Sequence, residues 1–491
     1  MYHDSSKKEI INKLFIGFYL VIIPASAISG QWKLTPILLL SQSYTDNLEL
    51  VSSSKKQDYI TEVDPRIKIS GAGARIDTQI DYTMQNLYYA KNQKYNKTNH
   101  QLNAIANTEL IKNNFFFDVD GGIEQTSVTS NQPRPVDNIN VGNRTNVKRL
   151  SMTPYFKSSL QGNALTEIRY TRSILAIEEG ASSSSTDYYS LGVSSGPKFT
   201  KLAWNIAYDK TREERESGDI VKFENAVVDG KYQLIDSLYV LAKFGYANND
   251  FQTVDPINNG NYESFGIGIS PNDKLSIEGL YSTDYRSVST VINPTKRTSL
   301  KVAWRDSSIG LNTGKVWRGD FNLNIRRTSW LMTYQEDTTT TQQLQLDTGV
   351  NNSINSDFGL TDDVFERKLG RMSFKYLRPK SQWNLSYYNE TRRSKRTDEQ
   401  EKAFGASASV NWRLGAKTNF SITGAAEKRQ FINKNTRDNT QFVDIRFNRN
   451  LKKRLSTIVG FHRVKQDSDV DSRAYQENRV FATVTMEFTS H

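Results

Sequence analysis

Apolar and polar residues alternate along most of this chain with a period of two. In segment 76–84 the Ile, Tyr and Met residues fall at even positions, and Asp77, Gln79 and Asp81 fall between them. A period of two is typical of a β-strand with one apolar and one polar face, and not of a helix. The same alternation recurs in 321–326, 383–388 and 404–413, where the apolar faces carry aromatic residues. The pattern predicts an all-β protein.

The last alternating segment, 480–488, indicates what kind of sheet this is. One face would carry Val480, Ala482, Val484, Met486 and Phe488, and the other Thr483, Thr485 and Glu487. If the apolar face contacts lipid, this strand must pair with the first one, predicted at 32–43, because a free edge in hydrocarbon leaves backbone groups unsatisfied. The sequence therefore predicts a single large antiparallel transmembrane β-barrel. We expect Phe488, Met486 and Val484 to form the C-terminal signal read by the barrel assembly machinery.

Short turns and longer polar loops alternate between the predicted strands. Short turns are predicted at 71–73, 112–114, 162–163, 236–237, 271–273, 327–329, 379–381, 415–417 and 452–453, and longer loops at 91–100, 130–146, 178–186, 248–261, 337–363 and 466–473. Outer-membrane barrels keep short turns on the periplasmic side and long loops outside. The count gives about 22–24 strands, with 306–316 as the ambiguous stretch. The number should be even, because both termini would be periplasmic.

The N-terminal segment predicts export. Lys7, Lys8 and Lys13 precede an apolar run at 14–23 and a small-residue site at 24–27. The run is too short to span a bilayer as a helix, so we interpret 1–27 as a cleaved signal peptide and 28–491 as the barrel. A retained N-terminal anchor is the alternative. The predicted location is the bacterial outer membrane.

Composition agrees with this predicted location. The absence of cysteine excludes disulfides, thiolate metal sites and Cys nucleophiles. The mean hydropathy of -0.61 is too low for a helical membrane protein, yet aromatic residues reach 11%. The net charge is +11, of which the leader contributes about +1. A basic chain suggests anionic partners, and lipopolysaccharide phosphates outside or an acidic cargo inside explain it equally well. We expect no nucleic acid partner.

A barrel of this size is wide enough to hold water or a plug. The alternation begins at residue 32, directly after the predicted leader. We therefore expect no separate N-terminal plug domain. Any plug would come from a loop, with 337–363 the longest candidate, or from a partner protein.

Charged residues on the polar strand faces are candidates for cargo contact. The basic ones concentrate in the C-terminal half, and guanidinium or ammonium groups would hold carboxylate or sulfate groups of a sliding polymer loosely. The alternative is that charges of both signs pair across strands and only keep the interior wet. The candidates are Lys243, Lys301, Arg305, Arg326, Arg371, Lys375, Arg392 and Arg413, with Tyr388 as a surface for sugar stacking; the acidic residues predicted to face them are Asp77, Asp81, Glu167, Asp229, Glu278 and Glu427.

No sequence motif indicates catalysis, a cofactor or a metal. Of the four histidines, only His462 lies within a predicted strand, and no Ser-His spacing typical of an outer-membrane phospholipase accompanies it. The loop at 467–471 has aspartates at positions 1, 3 and 5 of a calcium loop but lacks the glycine at position 6, where Ser472 stands. We expect a protein that is not an enzyme.

A family resemblance adds a more specific hypothesis. Segment 35–48, with its Tyr-Thr-Asp-Asn element at 44–47, and segment 77–89, ending in Gln-Asn-Leu-Tyr-Tyr, resemble the outer-membrane β-barrel family associated with PEP-CTERM and exopolysaccharide gene clusters. The resemblance implies a channel or accessory pore for exopolysaccharide export, with periplasmic polysaccharide-export proteins as possible partners. A general diffusion porin and a structural or adhesive barrel with a plugged lumen are the alternatives.

Overall fold

The computed structural model describes residues 30–347 and 358–488, which form 24 strands. The predicted signal peptide, 1–27, lies outside the described residues. The strands are β1 Gly30–Thr45, β2 Asp58–Gly73, β3 Ile76–Tyr89, β4 Lys97–Ile111, β5 Phe115–Ser127, β6 Arg144–Ser159, β7 Ala164–Ile177, β8 Ser184–Ser195, β9 Leu202–Arg215, β10 Ile220–Ile235, β11 Leu238–Ala247, β12 Gly260–Asn272, β13 Leu275–Tyr281, β14 Tyr285–Thr295, β15 Thr298–Ser307, β16 Gly314–Ile325, β17 Thr328–Thr340, β18 Val364–Leu377, β19 Ser381–Ser394, β20 Gln400–Arg413, β21 Thr418–Phe431, β22 Thr436–Lys452, β23 Leu455–Ser468 and β24 Tyr475–Glu487. The one α-helix among the described residues, α1, spans Thr341–Asp347, and two single-turn 3-10 helices lie at Gln93–Tyr95 and Asp471–Arg473.

The sheet closes on itself. Each strand pairs antiparallel with the next, and β24 pairs antiparallel with β1, with Leu40 opposite Val484 and Ser41 opposite Thr483. The pairing extends to Phe488, whose N–H donates to the carbonyl of Pro36 at 2.8 Å. The predicted barrel, its even strand number and the pairing of its first and last strands are confirmed. Closure satisfies the backbone at both would-be edges.

Residues opposite each other in the register share a face, so one set of alternate residues points outward around the whole barrel. The outward set is rich in exposed Leu, Ile, Val, Phe and Trp; Val480 is 51% and Ile267 56% exposed. A continuous apolar outer wall would be strongly unfavourable in water and suits hydrocarbon. The molecule is an outer-membrane β-barrel. No helix in the described ranges is long and apolar enough to cross a bilayer.

The connections follow the predicted asymmetry. At one end lie the chain termini and short turns, such as 160–163, where Gln161 and Gly162 adopt φ values of 50° and 79°. Such left-handed turns match the twist of a hairpin. At the other end lie the longer connections, chiefly 46–57, 128–143, 248–259 and 341–363. By the rule for outer-membrane barrels the first end is periplasmic and the second extracellular.

Several predicted boundaries were wrong by a few residues. The turn predicted at 71–73 lies at 74–75, because β2 continues through its glycines, and the turn at 296–297 was missed. The ambiguous stretch 306–316 contains the end of β15, a loop and the start of β16. Turn residues such as Gly are compatible with strand ends, so composition does not fix the last paired residue.

Neighbouring residues on β16 test the assignment of faces. We expect Phe321→Lys, on the outer wall, to destabilise the barrel by about 2 kcal/mol or more, because lipid cannot solvate its ammonium group. Asn322→Lys, on the inner wall, should change stability by less than about 0.5 kcal/mol. Urea unfolding in lipid vesicles measures both. Equal destabilisation by the two variants would contradict the assignment.

Candidate functional site

The candidate site is the inner wall of the barrel and the loops that fold into it. Register places eight of the predicted contact residues on the inner face: Lys243, Lys301, Arg305, Arg371, Lys375, Arg392, Arg413 and Tyr388. Arg326 is the exception, because β16 ends at Ile325 and Arg326 lies in the turn that follows. Arg413 is the last residue of β20 and donates to the carbonyl of Pro379 at 2.8 Å, so it lies at the periplasmic rim.

On β2–β10 most inward-facing cations are neutralised by carboxylates. Arg66 and Lys68 both pair with Asp81. Arg149 lies 3.3 Å from a carboxylate oxygen of Asp120. The same holds for other pairs on this side: Lys157–Glu167, Arg169–Glu167 and Arg215–Glu213. The cross-strand pairing considered from the sequence is observed for Arg66, Lys68, Arg149 and Lys157. Arg169 and Arg215 instead pair with a carboxylate two residues away on their own strand.

The wall from β11 to β18 differs. Lys243, Lys301, Arg305, Arg318 and Lys375 face the lumen there without a carboxylate within ion-pairing distance in the described part of the chain; we call these five residues the cationic arc. Lys243 is held by Tyr285, whose hydroxyl is 3.2 Å from Nζ, and Arg305 donates to a loop carbonyl. Lys301, Arg318 and Lys375 are exposed to the lumen. Asp320 stands opposite Lys301 in the register but does not pair with it.

The loop at 128–143 crosses the extracellular part of the lumen. Ile139 packs in a buried cluster with Leu48, Ile60, Leu87 and Tyr89, and the Tyr89 hydroxyl donates to the Ile139 carbonyl at 2.7 Å. On the way, Arg134 donates to Glu427 of β21 at 2.7 Å. The loop thus reaches from β5 and β6, past the β1–β24 pair that closes the barrel, to β21.

Arg479 of β24 holds this loop in place. Its side chain is 3% exposed, and its guanidinium donates to Asn140 at 2.9 Å and to Glu477 at 3.1 Å and pairs with Asp137. Burial opposes ionisation of the Asp137 carboxyl, but the charge of Arg479 and its hydrogen bond outweigh burial, so the pKa of Asp137 lies below its usual value. The geometry is a charge-assisted latch between loop and wall.

The connection between β17 and β18 enters the lumen from the side of the barrel opposite β6 and β7. Leu360 packs against Val147, Leu175 and Ile177 of β6 and β7, and its N–H donates to the carbonyl of Val128 at 2.9 Å. The α1 helix lies beside the same strands: Gln342 donates to Asp362, which also accepts from the backbone of residue 182 at 2.8 Å. Predicted as the longest plug candidate, this connection does enter the lumen in its described parts, 341–347 and 358–363.

A third connection, 248–259, is bound to the rim. The N–H of Val254 donates to the carbonyl of Lys395 at 2.8 Å, and Asp255 lies 3.5 Å from the ammonium group of the same lysine. Inward residues near the extracellular end, such as Glu213 and Arg429, are fully buried, whereas Ser373 and Lys375 nearer the turns are exposed. The described loops therefore fill the extracellular half of the lumen, and the periplasmic half is the open part.

Two predicted contacts are not available to a cargo. Tyr388 is 5% exposed: its ring covers Gly405, Phe358 packs on it, and its hydroxyl bonds to Glu427. Stacking of Tyr388 on sugars is thus a wrong prediction for this state of the barrel. Arg392 faces the lumen but pairs with Glu390 at 2.7 Å and stacks on Phe358 at 4.1 Å. Both residues anchor the loop that carries Phe358.

The remaining sequence candidates for chemistry occupy structural positions. His462 is buried on the inner face beside Asp444 at 3.5 Å and against the ring of Phe442. In the acidic loop, Asp467 pairs with Lys465 and Asp469 with Arg437. No metal-ligand cluster occurs among residues 30–347 and 358–488.

Sequence reasoning missed Arg318, Arg479 and the role of 128–143. Arg318 lies two residues beyond 306–316, the stretch that is ambiguous from the sequence. Arg479 lies one residue before 480–488, the segment interpreted from the sequence as the closing strand and assembly signal. For the loop, the available signal was a run of Asn, Asp and Pro that contains Ile139 and Val141 within a polar segment.

Comparison with known proteins gives likeness of shape alone. No family model and no curated protein matches the chain. Among solved structures it is similar to the siderophore receptor PirA from Acinetobacter baumannii (9% identity, 93% of this chain and 80% of that one, TM-score 0.47). It is also similar to a variant of the ferric enterobactin receptor PfeA from Pseudomonas aeruginosa, with 8% identity over 93% of this chain and 81% of that one and a TM-score of 0.49. The FrpB iron transporter from Neisseria meningitidis has 10% identity over 94% of this chain and 83% of its own, with a TM-score of 0.46.

The latch on the 128–143 loop should be sensitive to acid. Because folding lowers the Asp137 pKa, its contribution is complete above about pH 4, begins to be lost below that, and is gone once the carboxyl is protonated in the folded protein. We expect Asp137→Asn to reproduce the acid effect at neutral pH and to raise the frequency of channel openings about threefold, as for a partly exposed ion pair. Planar-bilayer recording measures this frequency.

The control for the latch is Asp471→Asn, in the β23–β24 connection, where the carboxylate forms no ion pair with any described residue. This variant should keep the parent's opening frequency at neutral pH. Unchanged openings in Asp137→Asn, or an equal rise in the control, would contradict the latch.

Proposed function

We propose that this barrel is an outer-membrane channel for an anionic solute, gated at its extracellular mouth, and that the solute is a surface exopolysaccharide during export. The observation that carries the proposal is the cationic arc. Cations elsewhere on the inner wall are largely paired, whereas the arc leaves several charges facing water. Unpaired charges of one sign attract mobile ions of the other.

The spacing of the arc suits a polymer better than a tightly bound small ligand. Lys301, Arg318 and Lys375 lie on β15, β16 and β18, so their charges are distributed along the wall and do not converge on one pocket. Each would make screened, replaceable contacts with carboxylate or sulfate groups. Inward serines beside them, such as Ser373 and Ser386, offer hydroxyl groups to sugars.

The loops support a gate. They contact the wall mainly through ion pairs, hydrogen bonds and small apolar clusters, and such contacts can exchange with water at a modest cost. A permanently sealed adhesive barrel would need no charged periplasmic cavity. The exopolysaccharide as cargo, and a periplasmic export protein as supplier, come from the family resemblance at 35–48 and 77–89.

Ion selectivity tests the channel. The triple variant Lys301→Gln, Arg318→Gln and Lys375→Gln should shift the reversal potential in a KCl gradient toward cation selectivity, because the arc concentrates anions. The control is Lys315→Gln on β16, which faces outward at the rim and should leave the potential unchanged. Conductance with unchanged selectivity would favour a general porin, and no conductance under any condition would favour an adhesive barrel.

The cargo is tested in cells. Deletion of the gene should abolish or strongly reduce surface exopolysaccharide, and the triple variant should restore less of it than Lys315→Gln at equal barrel abundance. Heat-modifiable mobility on gels measures the folded amount of each variant. Normal polysaccharide after deletion would refute the cargo while leaving the channel measurement intact.

A further inference from the structure

We propose that the outer wall of β20–β23 is a binding site for lipopolysaccharide phosphates. Register places Lys402, Lys428, Arg463 and Lys465 on the outward face at the extracellular ends of these strands. We call these four residues the outer basic belt. The proposal is independent of any cargo in the lumen.

The belt lies directly above apolar wall. Phe404 lies one step toward the periplasm from Lys402, and Val443 lies beside Arg463 in the register; both apolar residues are exposed on the outer wall. On β24, Val480 continues this border. A ligand that fits has acyl chains for the wall and anionic groups for the belt. In the outer leaflet that ligand is the phosphorylated glycolipid of lipopolysaccharide.

The belt's charges are available. Lys402 and Lys428 form no ion pair with any residue in the described ranges, and the Lys428 ammonium lies 5.9 Å from the centre of the Phe404 ring. Arg463 donates to the neutral amide of Asn478 at 3.3 Å. Among the described outward positions of β20–β24, Asp467 is the one carboxylate, and Lys465 pairs with it. The sector therefore keeps a net positive charge.

The opposite wall lacks this property. On β9 and β10 the outward cation Lys210 lies 3.7 Å from Glu224, and Arg212 lies 2.8 Å from Glu214. Charges of both signs alternate there, and their fields largely cancel. Lys210 is accordingly a matched control: an outward lysine at the extracellular end of a strand, outside the belt.

Native mass spectrometry of the delipidated full-length protein in detergent, titrated with deep-rough lipopolysaccharide, tests the belt. We expect the double variant Lys402→Gln and Lys428→Gln to bind lipopolysaccharide about 25-fold more weakly than the parent. Each cation near an anionic surface contributes about fivefold to the affinity, and the variant lacks two of them. Lys210→Gln should bind within about twofold of the parent. Heat-modifiable mobility verifies that each variant is folded.

Three further probes identify the ligand chemistry. Dephosphorylated lipid A should bind the parent as weakly as lipopolysaccharide binds the double variant. Inorganic phosphate should not compete at millimolar concentration, and phosphatidylglycerol should not reach the affinity of lipopolysaccharide. Equal binding by the double variant and the parent, equal loss in the Lys210 control, or equal affinity for phosphatidylglycerol would each overturn the proposal.

Discussion

The structure depends on one constraint: in hydrocarbon every backbone N–H and C=O must find a partner within the sheet. The pairing of β24 with β1 meets it, and the remaining features follow. Closure fixes which alternate residues face outward, because opposite residues in the register share a face. Thus Ser41 and Thr483 meet on the inner face while Leu40 and Val484 meet on the outer one.

Closing so many strands creates a second problem, since a barrel of this circumference encloses more space than its own side chains can fill. The chain addresses it with loops and not with larger side chains. Loop 128–143 is held by Arg479 and the Ile139 cluster, and the β17–β18 connection by Leu360 and Asp362. Because these contacts are largely polar, the filled half of the lumen is also the half able to change.

The sequence predicted the barrel well because period-two alternation survives wherever one face meets lipid. That is why Lys243, Lys301 and Lys375 were placed correctly on the inner face. Periodicity contains no information on what covers a side chain, so Tyr388 had the right direction but the wrong accessibility; Phe358, from a loop, buries it. The prediction that Arg326 faces the lumen was wrong because alternation does not mark where strand pairing stops. The Asp137–Arg479 contact joins residues 342 positions apart and could not be predicted from either segment alone.

The loops also have a mechanical consequence. A wide, thin-walled cylinder bends easily into an ellipse, since its cross-section can flatten without breaking any bond between strands. The β17–β18 connection ties its own strands to β6 and β7, almost half the circumference away, and loop 128–143 ties β5 and β6 to β21 and β24. These ties act as struts at the extracellular rim, so any event that releases a loop also softens the outline of the mouth around it.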